Sequence, residues 1–152
     1  MWFAYQNQAF RWRRVVSLML CVCVVSACQI SLLSQYDETT DKAVSALQKK
    51  MESHLLTLET KDGSPECMYA FFQPAYRDLK VDASAITVRA AAIPKNELTA
   101  EQAQLLGKSI ETLEKLHQIA CLSKAQIAPL RIQFNSSFTA ILKLELAKRR
   151  GA

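Results

Sequence analysis

The sequence predicts an all-α fold, an antiparallel up-down-up-down four-helix bundle that follows an N-terminal signal helix. Apolar residues recur with the 3.6-residue period of a helix in four segments, and short stretches with helix-breaking residues separate them. The chain of 152 residues contains only three glycines and four prolines, which disfavours a turn-rich β fold. Helices joined by short loops pack as antiparallel neighbours. The four segments are residues 36–59, 65–93, 100–121 and 124–148.

The ends of the first two helices follow from local signals. Acidic residues occupy the first turns of segment 36–59, where they interact favourably with the helix dipole, and Gly63 is the natural stop after it. Pro65 fits the first position of segment 65–93. Pro74 lies inside that segment and predicts a kink, because proline removes a backbone hydrogen bond. A three-helix fold, with the second helix broken at Pro74, is the alternative.

The last two helices have capping signals. Thr99 with Gln102 and Ser123 with Gln126 have the spacing of a capping box, which predicts a helix start at each pair. Glu145 falls where the next apolar residue of the last helix is due, so we expect neighbouring leucines, Leu142 and Leu144, to bury its final turns.

Each segment carries one apolar stripe that we expect to form the core. In the third segment, Leu105, Leu116 and Ile119 widen the stripe. The four stripes are Val44, Leu47, Met51, Leu55 and Leu58; Met68, Phe72, Ala75, Leu79, Ala83, Ile86, Ala90 and Ile93; Leu106, Ile110, Leu113 and Ala120; and Ile127, Leu130, Phe134, Phe138 and Ile141.

The net charge of +5 arises mainly from the N-terminus. The first 27 residues contain three arginines and no acidic residue, so the remaining chain has 16 Lys and Arg against 14 Asp and Glu, a charge of +2. A domain this close to neutrality gives no electrostatic basis for binding nucleic acid, and we expect none.

The N-terminal segment has the pattern of an export signal. Basic residues precede a continuous apolar run over residues 15–27, and 13 helical residues span about 20 Å, too little for a hydrocarbon core of about 30 Å. The run ends in Val25, Ser26 and Ala27 followed by Cys28, which resembles the lipobox of bacterial lipoproteins.

The lipobox resemblance implies how the chain is processed and where it resides. In that family the cysteine thiol receives a diacylglycerol, signal peptidase II cuts before it, and the new amino group receives a further fatty acyl chain such as palmitate. Carried over here, residues 1–27 are the signal peptide, residues 28–35 a tether lipidated at Cys28, and residues 36–152 the bundle domain. Gln29 after the cysteine implies the inner leaflet of the outer membrane, facing the periplasm. The inner membrane is the alternative, as is a bitopic protein with residues 15–33 as an uncleaved anchor.

Two cysteines remain in the domain in an oxidising compartment, where disulfides persist. Cys67 starts the second helix and Cys121 ends the third, so an up-down-up-down topology brings both to one end of the bundle. We expect a disulfide between them, with two separate buried thiols as the alternative. The same topology places the C-terminus beside the N-terminus. Lys148, Arg149 and Arg150 then either contact anionic lipid head groups or interact with the negative end of the last helix.

The histidines do not form a recognisable metal or haem site. Glu114 and His117 have the Glu-x-x-His spacing of di-iron bundles, but His54 has Met51 at the matching position, so the second motif is missing. We therefore expect His54 and His117 at the surface or rim, and no metal or other cofactor. No catalytic motif is found, and we expect no enzymatic activity.

Aromatic residues cluster at the start of the second helix. Together with Phe72, the residues Tyr69, Phe71 and Tyr76 exceed what one buried face can hold. This pattern indicates ordinary core packing with a partly exposed aromatic side chain, and a partner-binding patch formed by Tyr69, Phe71 and Tyr76 is the alternative.

The beginning of the domain, residues 36–59, is similar to small proteobacterial lipoproteins of unassigned function, and the similarity implies a helical envelope lipoprotein. The sequence thus predicts a non-enzymatic, membrane-anchored envelope protein that binds another envelope protein as an assembly or inhibitory module. A ligand or cofactor carrier that uses the bundle interior is one alternative. A hydrolase with an unrecognised site is another.

Overall fold

The computed structural model describes residues 34–151, which form four α-helices and no β-strand. Two short 3₁₀ turns, Pro65–Cys67 and Tyr69–Phe71, precede the second helix. The predicted signal peptide, Cys28 and the first part of the tether lie outside the described residues. The helices are α1 (Glu38–Thr60), α2 (Gln73–Ala92), α3 (Glu97–Ile119) and α4 (Lys124–Arg150).

The helices form a ring in which each one packs against two others. Helices α1 and α3 each contact both α2 and α4. The end of α2 meets the start of α1, where Arg89 forms an ion pair with Asp37, and the end of α4 meets the start of α3, where Lys148 binds Asn96. The order is therefore up-down-up-down, which confirms the predicted four-helix bundle and excludes the three-helix alternative. Among residues 34–151, no helix is long and apolar enough to span a bilayer.

The core consists of the predicted stripes with a few exceptions. Met68 is 58% exposed because it lies between the two 3₁₀ turns, where the register of α2 does not apply. Ala120 follows the end of α3 and is exposed, and Ile119 before it is 82% exposed. The main buried side chains are Val44, Leu47, Met51, Leu55, Leu58, Phe72, Tyr76, Leu79, Ala83, Ile86, Leu106, Ile110, Leu113, Ile127, Phe134, Phe138 and Ile141.

The predicted kink at Pro74 is wrong. Helix α2 begins at Gln73, so Pro74 occupies its first turn, where the first backbone N–H groups lack helical partners in any case. The preceding chain forms the 3₁₀ turns instead of a longer helix. Proline therefore marks the beginning of α2 and does not bend it.

Of three other predicted helix ends, those at Gly63 and Ser123 are confirmed and the one at Thr99 is not. Gly63 has a φ of 75°, a conformation that glycine adopts readily, and stands in the turn that follows α1. The capping box at Ser123 is present, and Gln126 accepts a hydrogen bond from the Ser123 backbone N–H at 2.9 Å. The predicted box at Thr99 is wrong because α3 begins three residues earlier than predicted, at Glu97 after Asn96.

Candidate functional site

The disulfide end of the bundle contains most of the residues that the sequence analysis selected. We use this name for the end where α2 begins and α3 ends, which the bond between Cys67 and Cys121 marks. Their Cα atoms are 5.4 Å apart, a distance that a disulfide accommodates. The topology thus brings together two cysteines separated by 54 residues.

His117 is the centre of a buried polar cluster at this end. It is 1% exposed, its Nε2 donates a hydrogen bond to the carbonyl oxygen of Cys67 at 2.6 Å, and its Nδ1 lies 3.0 Å from the hydroxyl of Tyr76. Burial raises the pKa of Tyr76, so its hydroxyl keeps the proton. The imidazole links α3 both to α2 and to the turn that carries the disulfide.

Glu114 lies one turn before His117 on α3 and connects two further elements. Its Oε1 accepts a hydrogen bond from the Tyr69 hydroxyl at 2.9 Å, and its Oε2 accepts one from Lys80 Nζ at 2.6 Å. Burial opposes ionisation of this carboxyl, but the hydrogen bonds from Lys80 and Tyr69 outweigh burial and lower the pKa of Glu114. The resulting carboxylate holds the second 3₁₀ turn and α2 against α3.

His54 on α1 differs because one of its ring nitrogens has no partner. The residue is 6% exposed, and its Nε2 is buried without a hydrogen bond to any described residue. Its ring meets Tyr76 at 4.5 Å and Phe72 at 5.7 Å between centroids, both edge to face. Burial, with a smaller contribution from His117, lowers the pKa of His54 to about 4. The imidazole is therefore neutral at physiological pH.

A groove between α1 and α2 borders His54. Its volume is about 400 Å³. Aromatic and aliphatic side chains form part of its lining, and polar side chains from α1 and α2 form the rest. The lining residues are Lys50, Ser53, His54, Thr57, Phe71, Phe72, Ala75, Asp78 and Leu79.

The expectation that both histidines lie at the surface or rim is wrong. His54 lies three residues after Met51 and His117 four residues after Leu113, so both continue the buried stripes of their helices. This spacing was the available sequence signal for burial. The ring of His117 has hydrogen-bond partners in the core, and the ring of His54 packs against Tyr76 and Phe72. The cluster could not be predicted from local spacing because the partners of His117 come from other parts of the chain.

The predicted aromatic patch is only partly at the surface. Phe71 is 66% exposed, Tyr69 is half-buried on Glu114, and Tyr76 is 0% exposed. Tyr76 therefore does not belong to a partner-binding surface, because its ring packs in the core between the two histidines. Three exposed apolar side chains do lie at the disulfide end: Met68, Phe71 and Ile119.

The chain matches no family model, and searches of curated proteins and of solved structures found no match. The chemistry of the site follows from its own side chains. Within residues 34–151, no group of three or more His, Cys, Asp or Glu side chains is arranged to hold a metal ion. The polar atoms of Glu114 and His117 instead form hydrogen bonds with neighbouring protein groups. What this end offers a ligand is the groove and the exposed apolar side chains.

The opposite end of the bundle, which we call the anchor end after the lipid anchor that the sequence predicts, contains a second buried polar cluster. Lys148 is 6% exposed, and its Nζ donates hydrogen bonds to the side chains of Glu145, Asn96 and Thr99. Glu145 is 0% exposed and also accepts a hydrogen bond from Thr99 at 3.1 Å. The expectation that Leu142 and Leu144 replace Glu145 in the last turns is wrong, since Glu145 and Lys148 continue the stripe as a buried ion pair.

The first described residues bind to this cluster. Ser34 donates a backbone hydrogen bond to the carbonyl of Lys95 at 3.1 Å and a side-chain hydrogen bond to Asn96 at 3.0 Å. Asp37 caps α1 by accepting from the Thr40 backbone N–H, and it forms two hydrogen bonds of 2.6 and 2.7 Å with Arg89. The hydrogen bond from Arg89 holds the pKa of Asp37 well below its usual range. The chain therefore enters the bundle along a defined path.

The three basic residues at the C-terminus have different surroundings. Lys148 is buried in the ion pair and is not available to lipid head groups, which corrects that part of the prediction. Arg149 and Arg150 are exposed. The guanidinium of Arg149 lies 5.6 Å from the centre of the Tyr36 ring, and Arg150 Nε donates to the Leu146 carbonyl at 3.4 Å. The prediction of contact with lipid head groups therefore remains for Arg149 and Arg150 alone.

Proposed function

We propose that this protein is a lipid-anchored module of the bacterial cell envelope that binds another envelope protein through its disulfide end. The observation that carries the proposal is that Met68, Phe71 and Ile119 are exposed at the end opposite Ser34. Exposed apolar side chains at one end of a domain favour a protein-interaction site there. These side chains lie at the end of the bundle that is farther from Ser34, the first described residue after the predicted anchor at Cys28.

The length of the chain before Ser34 supports this arrangement. Cys28 and Ser34 are six residues apart, so the chain between them reaches at most about 20 Å. Helices α1 and α3 have 23 residues each, which corresponds to about 35 Å. With lipid at Cys28, the chain would keep Ser34 within about 20 Å of the membrane surface. Arg149 and Arg150 then lie on the side where anionic head groups are within reach.

Labelling with a palmitate analogue tests the anchor. We expect the wild-type chain to incorporate the label and the Cys28→Ala variant to lose it. Cys23→Ala, a matched change inside the predicted signal peptide, should keep the label. Label that persists in Cys28→Ala, or a purified protein that begins at Met1 without an acyl group, would overturn this part of the proposal.

Photo-crosslinking in living cells tests the interaction surface. A crosslinkable amino acid at Phe71 or Ile119 should join the chain to one defined envelope protein, identified by mass spectrometry. Val88 on α2 is 67% exposed and lies toward the anchor end, so it serves as the matched control. The proposal fails if Val88 gives the same product with equal yield, or if neither Phe71 nor Ile119 gives a product.

A further inference from the structure

We propose that the outward face of α2 binds a second copy of this chain, so that two antiparallel α2 helices form the interface of a two-fold symmetric dimer. The face contains Val81, Ala85, Val88 and Ala92, which we call the α2 stripe. All four side chains are exposed, Val81 to 60% and Val88 to 67%. The inference goes beyond the proposed function, because the α2 stripe belongs to neither the predicted anchor nor the disulfide end.

The α2 stripe gives this helix a second apolar side. A helix on the surface of a domain normally has one apolar side toward the core and polar or charged residues on the other. Among the exposed positions from 81 to 92, however, only Arg89 is charged. The side of α2 that faces the core of its own chain is a different set of residues, Tyr76, Leu79, Ala83, Ile86 and Ala90.

The spacing of the α2 stripe fits a second helix. Its residues follow one another at steps of four, three and four, the pattern of the seam between two packed helices. The valines supply the apolar contact, and Ala85 and Ala92 are small enough for two helix backbones to approach closely. The stripe extends over 12 residues, about 17 Å of helix. These features favour a helix as the occupant of the face.

The charges beside the α2 stripe identify that helix as a second copy. Asp78 and Arg89 are 11 residues apart, about three turns, so they lie on the same flank of the stripe. Their side chains are 63% and 46% exposed. Arg89 binds Asp37 through Nε and Nη2, and its guanidinium has further N–H groups that can bind another carboxylate. This flank therefore has an acid near one end of the stripe and a base near the other.

Such a flank is complementary to itself when a second helix runs in the opposite direction. A two-fold axis perpendicular to α2, between Ser84 and Ala85, places Val81 opposite Val88 of the second copy. It also brings Asp78 to within two residues, about 3 Å along the helix, of the level of Arg89 of the second copy. Both contacts occur twice, as in any two-fold interface. A parallel pair would place Arg89 opposite the uncharged flank of the second helix.

The symmetry of this dimer is compatible with attachment of both copies to one membrane. A two-fold axis relates Ser34 of one copy to Ser34 of the other at the same height along the axis. A membrane perpendicular to the axis is therefore equally distant from both N-terminal chains. In this arrangement α2 lies along the membrane surface.

Copurification of two differently tagged full-length copies, extracted from cells in mild detergent, tests the dimer. We expect the wild-type copies to copurify. Val88→Asp, which buries a charge at the centre of the interface, should lower the recovery about tenfold or more. Asp78→Lys should also lower it, because this change places two cations side by side. Equal recovery with Val88→Asp, or wild-type copies that do not copurify, would overturn the inference.

Two matched variants outside the α2 stripe are the controls. Ile132→Asp changes an apolar residue of α4 that is 71% exposed, and Glu111→Lys reverses an exposed acid on α3. Both should leave the recovery unchanged. All four substitutions are at exposed positions, so we expect the helical content measured by circular dichroism to stay at the wild-type level. A loss of copurification in the controls as large as in Val88→Asp would contradict a specific interface on α2.

Photo-crosslinking from Val88 in living cells determines the occupant and its direction. We expect a product of twice the chain mass in which Val88 is joined to the peptide that contains Val81. A crosslink from Val88 to Val88 would contradict the antiparallel order, and a different envelope protein or lipid as the main product would contradict a second copy. The expected product differs from the one predicted at Phe71, so either result leaves the test of the proposed function intact.

Discussion

His117 and Cys67, 50 residues apart in sequence, are joined by a hydrogen bond of 2.6 Å from the imidazole Nε2 to the backbone carbonyl. Because a carbonyl oxygen can only accept, Nε2 carries the proton in this contact. In the neutral ring, Nδ1 is then the acceptor for the Tyr76 hydroxyl. The bond places α3 against the same residue that forms the disulfide, so the covalent and the polar connections at this end reinforce each other.

The Tyr76 hydroxyl should contribute measurably to stability. In Tyr76→Phe, His117 loses the partner of a buried nitrogen, and we expect the free energy of unfolding to fall by about 1–3 kcal/mol. Urea denaturation measures this difference. Tyr36→Phe is the matched control, because Tyr36 is only partly buried and donates to Asp41 at 2.7 Å near the surface. A larger loss in Tyr36→Phe than in Tyr76→Phe would show that the buried contact is unimportant.

Acidification should destabilise the bundle through His54. Its pKa is about 4 in the folded state against about 6.5 when unfolded, so between these values the unfolded chain binds a proton that the folded chain does not. The free energy of unfolding therefore falls as the pH is lowered from 6.5 to 4, by about 3 kcal/mol.

The contribution of His54 to this pH dependence can be isolated. His54→Phe should flatten the decline between pH 6.5 and 4 in urea titrations. The further loss at lower pH should remain, because Asp37 and Glu114 also have lowered pKa values and lose their stabilising contacts as they are protonated. An NMR titration that finds His54 protonated in the folded protein at pH 6 would contradict this explanation.

Removing one partner of the buried ion pair should cost far more than removing both. Lys148→Met leaves the Glu145 carboxylate buried without its charged partner, and we expect a loss of about 3–5 kcal/mol. The double variant Glu145→Leu with Lys148→Met should recover most of this loss, since apolar side chains of similar size can replace a buried pair. Thermal and urea denaturation measure both variants.

An exposed pair on α1 is the control for that comparison. Lys42 and Glu38 are 2.6 Å apart with side chains 76% and 66% exposed. We expect Lys42→Met to leave the free energy of unfolding almost unchanged, because solvent screens an exposed pair. A double variant at the buried pair as unstable as Lys148→Met alone would show that the polar cluster itself is required.

The disulfide should account for a large share of the stability of the domain. It closes a loop of 54 residues, which corresponds to about 4 kcal/mol in the chain-entropy model. Guanidinium denaturation with and without a thiol reductant should show a loss of this order. The double variant Cys67→Ser with Cys121→Ser should be equally unstable and insensitive to the reductant. Peptide mapping without reduction should recover the two cysteine peptides as one species; two alkylatable thiols would contradict the bond.

Most of the fold could be predicted from the period of apolar residues. Met51 on α1 and Ile110 on α3 lie at the centres of stripes that a single sequence reveals, and the short turns between helices determine the antiparallel order. The position of the disulfide follows from that order. The boundaries of α2 did not follow, because proline is compatible with both a kink and a helix start, and tertiary contacts of the 3₁₀ turns decided between them.

The burial of these polar side chains could be predicted from their positions in the stripes, but their hydrogen-bond partners could not be predicted from the sequence. His54, His117, Glu145 and Lys148 all occupy stripe positions, so the helical period alone would place them inside. Their charge or polarity argues against burial unless a partner is present. Those partners are supplied mostly by other helices, tens of residues away in sequence, and local spacing carries no information about them.

The attachment of Ser34 determines how the domain receives mechanical load from the chain that precedes it. Ser34 binds Lys95 and Asn96, in the loop between α2 and α3, before the chain reaches Asp37 and the first turn of α1. A force applied at the N-terminal chain is therefore resisted first by that loop and by the side chains that hold Asn96 in place. Helix α1 bears the full load only after these contacts have broken.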